Sequence, residues 1–120
     1  MAARKPETLL RQYALSFPEA WEDFPWGESV FKVRKKVFVF AGKPEGSKGF
    51  HLAVKLPQSG REVLLSPFAE PTGYGLGKSG WVSLVFENPK SAPMPLIKQW
   101  VEESYRAVAP KTLIKQLDAD

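Results

Sequence analysis

The stretch GYGLGKSG, residues 73–80, ends in Gly77-Lys78-Ser79 as a phosphate-cradling loop does. Such a loop needs a glycine five positions before Gly77, where this chain has Thr72, and it must feed a helix whose first amides hold the phosphates. The next residues, WVSLVF, carry a strand pattern, so the chemistry lacks its scaffold. His51 is the single histidine and cysteine is absent. That removes thiolate and His-rich metal sites, disulfides and Cys nucleophiles, and leaves no Ser-His-Asp constellation with a nucleophile elbow. The acids Glu19, Glu22, Asp23 and Glu28 do not follow a calcium-loop order. Ser104 sits in the apolar stripe of a helical segment with no base in view and reads as a satisfied structural hydroxyl. No catalytic residue, cofactor or metal site is expected.

The charge distribution is more informative. Residues 1–31 sum to −2, residues 32–61 to +7 and residues 62–120 to −1, within a chain of net charge +4. The central segment holds Lys32, Arg34, Lys35, Lys36, Lys43, Lys48, Lys55 and Arg61 against Glu45 alone. A concentration of one sign on so short a segment suits a polyanion, and lysine contacts to phosphates give affinity that is independent of sequence and sensitive to salt. Phe31, Phe38, Phe40 and Trp26 lie close by and could stack on bases. The plainer reading gives the phenylalanines to the core and the lysines to protection of a strand edge.

These side chains must be positioned by the elements around them. Pro6, Glu7 and the spacing of Leu10, Tyr13, Ala14 and Phe17 predict an amphipathic helix over 6–16, stopped by Pro18. PEAWEDFPWG is expected as an ordered loop without a regular element. Runs at 29–34 and 37–41 predict two strands joined at Lys35-Lys36, and the alternation of residues 50–56 predicts a third strand with one buried face. Ser59 and Glu62 have capping-box spacing and would open a short helix to about Ser66, while REVLLS also reads as a strand. A Gly-rich connection leads to the strand WVSLVFE. Ile97, Trp100, Val101, Ser104, Tyr105 and Val108 share one face of a long helix closed by Pro110, and TLIKQLD makes a last short one.

At 120 residues, 43% hydrophobic and 25% charged, the chain suits one globular domain over 1–120 with a core of its own. It shows no apolar run long enough to span a bilayer and no signal-type N-terminus, so a cytoplasmic protein is expected. The element order α-β-β-β-α-β-α predicts an α+β fold, a two-layer sandwich with helices on one face of a mostly antiparallel sheet.

Four ordered pieces resemble the MmcQ/YjbR family of small bacterial proteins: Pro18, Glu19, Ala20, Glu22, Asp23, Pro25, Trp26 and Gly27; Phe31, Lys32 and Val33; Tyr74, Lys78 and Trp81; and Ser104, Tyr105 and Val108. The resemblance implies a compact α/β sandwich, frataxin-like in outline, and favours the helix after Ser59. It implies structural roles for Pro25, Trp26, Gly27, Tyr74, Trp81, Ser104 and Tyr105, with the Trp26 indole anchoring the acidic loop on the sheet. Family members are regarded as DNA-binding candidates with wing-like hairpins, their biochemical role unassigned. This chain departs from the family at Gly75, Gly77 and Gly80, where His, Asn and His are common, and at Lys35-Lys36, where the turn is commonly Gly-containing.

Together these readings lead to an expected non-enzymatic module that contacts DNA or another polyanion through Lys32, Arg34, Lys35, Lys36, Lys43 and Lys48, with Lys78 joining them. The alternative is a protein-interaction or chaperone-like adaptor using an exposed sheet face or the last long helix. A third class, a small-molecule site beside Tyr74, Lys78 and Trp81, requires a cleft there.

Overall fold

A computed structural model describes residues 5–42, 46–73 and 75–119, the Trp26 side chain excepted. The elements run α1 Pro6–Leu15, β1 Ala20–Asp23, β2 Val30–Val33, β3 Lys36–Phe40, β4 Phe50–Lys55, α2 Gly60–Val63, β5 Ala69–Pro71, β6 Trp81–Phe86, α3 Met94–Val108 and α4 Lys111–Ala119. Single 3-10 turns lie at Pro25–Gly27, Leu76–Ser79 and Pro89–Ser91. All strand pairs are antiparallel, in the order β1-β2-β3-β4-β6-β5. α1 and α3 pack on each other, α1 against β1 and α3 against β3 and β4. The α+β class and the single helix-covered face are as the sequence implies.

Two strands fall where the sequence predicts none. β1 lies inside the expected loop, and β5 inside the expected Gly-rich connection. Both are sheet edges, which explains why they lack a strand pattern: edge strands are short and carry charge or proline to discourage further pairing. β1 carries Glu22 and Asp23, and β5 is three residues ending in Pro71. The hairpin turn also falls one residue earlier than expected. Arg34 and Lys35 form it, and Lys36 already pairs with Val33 as the first residue of β3. Tight two-residue hairpin loops need positive φ at their first central position. Arg34 supplies it at φ 54°, a conformation its side chain does not advertise.

The segment after Ser59 is helical, as α2, but the expected capping box does not form. Ser59 makes no side-chain cap bond. Instead Glu103 of α3 accepts hydrogen bonds from the Gln58 amide (2.9 Å), the Ser59 amide (3.0 Å) and the Ser59 hydroxyl. The helix start is tied down by tertiary structure rather than by its own sequence.

The core lies between the sheet and the helices. Phe31, Val33, Phe38, Val39, Phe50, Leu52, Val54, Val82, Leu84 and Phe86 meet Leu10, Ala14, Phe17, Ile97, Trp100, Val101 and Tyr105, all buried. Phe38 and Phe17 pack around the Tyr105 ring at centroid distances of 5.2 and 4.6 Å. The Tyr105 hydroxyl donates to the Pro18 carbonyl at 2.7 Å, tying the end of α1 to α3. Burial pushes the Tyr105 phenol above its ordinary pKa. Ser104 is fully buried and bridges two strands where the ladder fails. A register irregularity in β3 adjoins Phe40 and Val39, which pair with Ala53 and Val54. The next rung is missing, and the Ser104 hydroxyl fills it, donating to the Phe38 carbonyl at 2.6 Å and accepting from the Lys55 amide at 2.8 Å. Both backbone groups are thereby satisfied away from water.

Candidate functional site

The pairing pattern assigns each basic residue to an end of the sheet. Val33 pairs with Ala20 and Lys36, so the Arg34-Lys35 turn and the start of β1 share one end. β4 runs back toward that end and finishes at Lys55, which pairs with Trp81, the first residue of β6. The turn carrying Lys78 leads directly into β6, and α2 with Arg61 comes after β4. The hairpin end therefore gathers Arg34, Lys35, Lys36, Lys55, Arg61 and Lys78. From β2 to β6 is three strand spacings, about 14 Å.

Of the residues expected to bind phosphate, the structure brings Arg34, Lys35, Lys36 and Lys78 together here. Lys48 does not join them. It precedes β4, and the length of that six-residue strand, about 17 Å or more, separates it from the hairpin end. Lys43 lies outside the described residues. Lys55 and Arg61 count in the basic segment but have no role from sequence; Lys55 is added by the strand register, and Arg61 by the start of α2 just beyond β4.

Pairing with carboxylates divides the cluster further. Lys32 lies 2.7 Å from Asp23 and Arg34 3.2 Å from Glu19. The Lys32 hydrogen bond holds the Asp23 carboxyl below the usual carboxylate range, and Glu19 holds the Arg34 guanidinium above its ordinary value. Lys35, Lys36, Lys55, Arg61 and Lys78 make no ion pair among the described residues. Lys35, Lys36, Arg61 and Lys78 are exposed and Lys55 is half-buried. Glu19, like Arg34, has a left-handed backbone, φ 55°. Two strained residues are thus joined by the ion pair that braces the hairpin to β1.

On the sheet face away from the helices, the row nearest this end runs Trp21, Lys32, Val37 across β1 to β3 and Lys55, Trp81 across β4 and β6. Trp21 is 43% exposed as a residue, yet its indole has fixed partners. Its Nε1 donates to the Arg34 carbonyl at 2.8 Å, and the Lys32 ammonium stands 5.2 Å from the ring centroid. Trp81, by contrast, is buried against Phe40 at 5.1 Å. Among the residues given structural roles, Pro25 and Gly27 form a 3-10 turn, with Gly27 at φ 79°. The Trp26 side chain and Tyr74 lie outside the described residues.

A family model described as YjbR matches residues 15–107. The chain belongs to the YjbR family. The match takes in β1 through nearly all of α3, so the YjbR unit includes the hairpin, the Trp21 row, Ser104 and Tyr105. No curated protein matches the chain. No described helix is long and apolar enough to cross a membrane.

Proposed function

We propose that this YjbR-family chain is a non-catalytic module that binds nucleic-acid backbone through the hairpin end of its sheet. The reading rests on one observation: antiparallel pairing brings Lys35, Lys36, Lys55 and the turn of Lys78 to one end, with Arg61 on α2 just beyond β4, none of them ion-paired within the described structure. Unpaired cations keep their charge available for phosphate, and each phosphate neutralised releases counterions. Arg34 and Lys32, already paired, shape the hairpin and contribute less. Binding to duplex or single-stranded DNA at low salt is expected, with Lys35→Ala/Lys36→Ala weakening both. Lys48→Ala, at the opposite end, serves as the control and leaves affinity unchanged. No binding of either DNA form at low salt, or equal loss from the Lys48 variant, would remove this reading.

An adaptor role draws on a different region. Leu65 is 86% exposed just after α2, and a shallow groove of about 520 Å³ lined by Phe68, Ala69, Glu70, Val85 and Phe86 runs along β5. Retention of a protein partner after nuclease treatment, abolished by Leu65→Ser, would favour this second reading over the first.

A further inference from the structure

Trp21 is an anomaly for a purely structural tryptophan. A ring of this size gains most by burial, and the anchoring usually given to Trp at a sheet edge hides it. Here the indole is held in place by its own strand pairing, by the hydrogen bond to the Arg34 carbonyl and by the Lys32 ammonium, while 43% of the residue stays in solvent. These contacts hold the ring in the free protein, so a planar ligand would have less ordering to do.

The position of the ring supplies the second half of the inference. The carbonyl it contacts belongs to Arg34, and the next residue is the unpaired Lys35 of the turn, whereas Lys36, opposite Val33, starts β3 on the other face. In the other direction its row continues through Lys32 and Val37 toward Lys55. An exposed, rigid π-face thus adjoins cations on two sides. Duplex phosphates could use the cations, but the base faces of a duplex are stacked on one another and closed to the indole. A single strand offers phosphates and open base faces together, and aromatic stacking with flanking cations is how proteins hold such strands without reading sequence.

We propose that the hairpin end takes single-stranded nucleic acid in preference to duplex, one base stacking on Trp21 while Lys35 and Lys55 hold neighbouring phosphates. The proposal rests on the backbone-binding reading and narrows its ligand. The Lys32 ammonium, bonded to Asp23, stands over one side of the ring, and the base takes the part that remains in solvent. The preference is expected to be indifferent to which base stacks, since every base presents a π-face.

The test uses the whole chain and three probes of equal length: a thymidine dodecamer, an abasic dodecamer and a duplex dodecamer, each followed by fluorescence anisotropy at low salt. The thymidine strand is expected to bind about tenfold more tightly than the abasic strand, the scale of one stacked base. Trp21→Ala should abolish that ratio, and Trp21→Phe should restore much of it. Because the abasic comparison uses the unaltered protein, a poorly folded Trp21→Ala variant leaves the test intact. Equal binding of thymidine and abasic strands overturns the stacking proposal while leaving the backbone reading in place. Failure of all three probes to bind overturns both.

Discussion

The two faces of the sheet use similar side chains in opposite ways. Toward the helices, Ser104 and Tyr105 direct every polar atom to an internal partner, the Phe38 carbonyl, the Lys55 amide and the Pro18 carbonyl, and neither touches solvent. At the hairpin end of the other face, Trp21 stays partly in water, and Lys35 of the adjoining turn has no carboxylate partner among the described residues. The contrast is one of satisfied against unsatisfied chemistry. Groups that complete their bonds within the fold set its stability, whereas groups left incomplete at a fixed position are the ones available to a ligand.

This division is open to direct attack. Truncating Tyr105 to Ala removes a buried ring from contact with Phe17 and Phe38 and is expected to cost about 3–5 kcal/mol of stability. Tyr105→Phe isolates the bond to Pro18 at roughly 1 kcal/mol. Denaturant melts would measure both. Ser104→Ala leaves the Phe38 carbonyl and the Lys55 amide unpaired in the interior and is expected to cost about 1–3 kcal/mol. A loss of less than a few tenths would show that water takes the hydroxyl's place. In contrast, Lys35→Ala/Lys36→Ala should stay within about 0.5 kcal/mol of the parent in the same melts.

At Arg34, backbone and side chain pull apart. Glycine would relieve the left-handed strain of about 1 kcal/mol but lose the exposed pair to Glu19. Both Arg34→Gly and Arg34→Ala lose the pair, so Arg34→Gly is expected to be about 1 kcal/mol more stable than Arg34→Ala. Equal melts for the two variants would contradict the assigned backbone strain.

The smallest effect concerns Arg106, which joins Glu102 on α3 to Asp118 on α4. Its hydrogen bonds hold the Asp118 carboxyl below the usual carboxylate range. A depressed folded-state value means stability that is present above the unfolded pKa and lost as pH falls through the folded one. The melting-temperature gap between the parent and Asp118→Asn should thus be open at neutral pH and close below about pH 4. A gap that persists in acid would assign it to packing instead.

How much of the fold is legible in the chain depends on whether a residue's partner is local. The apolar stripe of α3 and the alternation of β4 carry their burial in their own spacing, so the core face can be written down from sequence. α2 is suggested by a local feature, the Ser59–Glu62 spacing, that the structure replaces with Glu103, forty-four residues away. β1 and β5 escape a pattern-based reading because edge strands are defined by a neighbour rather than by a pattern. For the site, the excess of charge on residues 32–61 is visible, but which lysines meet is not. Separation along the chain puts Lys48 nearer than Lys78 to the hairpin, and antiparallel register reverses that order. The exposure of Trp21 has no signal at all, since it arises from β1 being an edge.

The most direct measurement is the salt dependence of duplex DNA binding. Five available cations at the hairpin end give an expected slope of log affinity against log salt of about −4.5, falling to about −2.7 in Lys35→Ala/Lys36→Ala. A slope that is near zero, or that the double substitution leaves unchanged, would contradict a phosphate-binding end on this sheet.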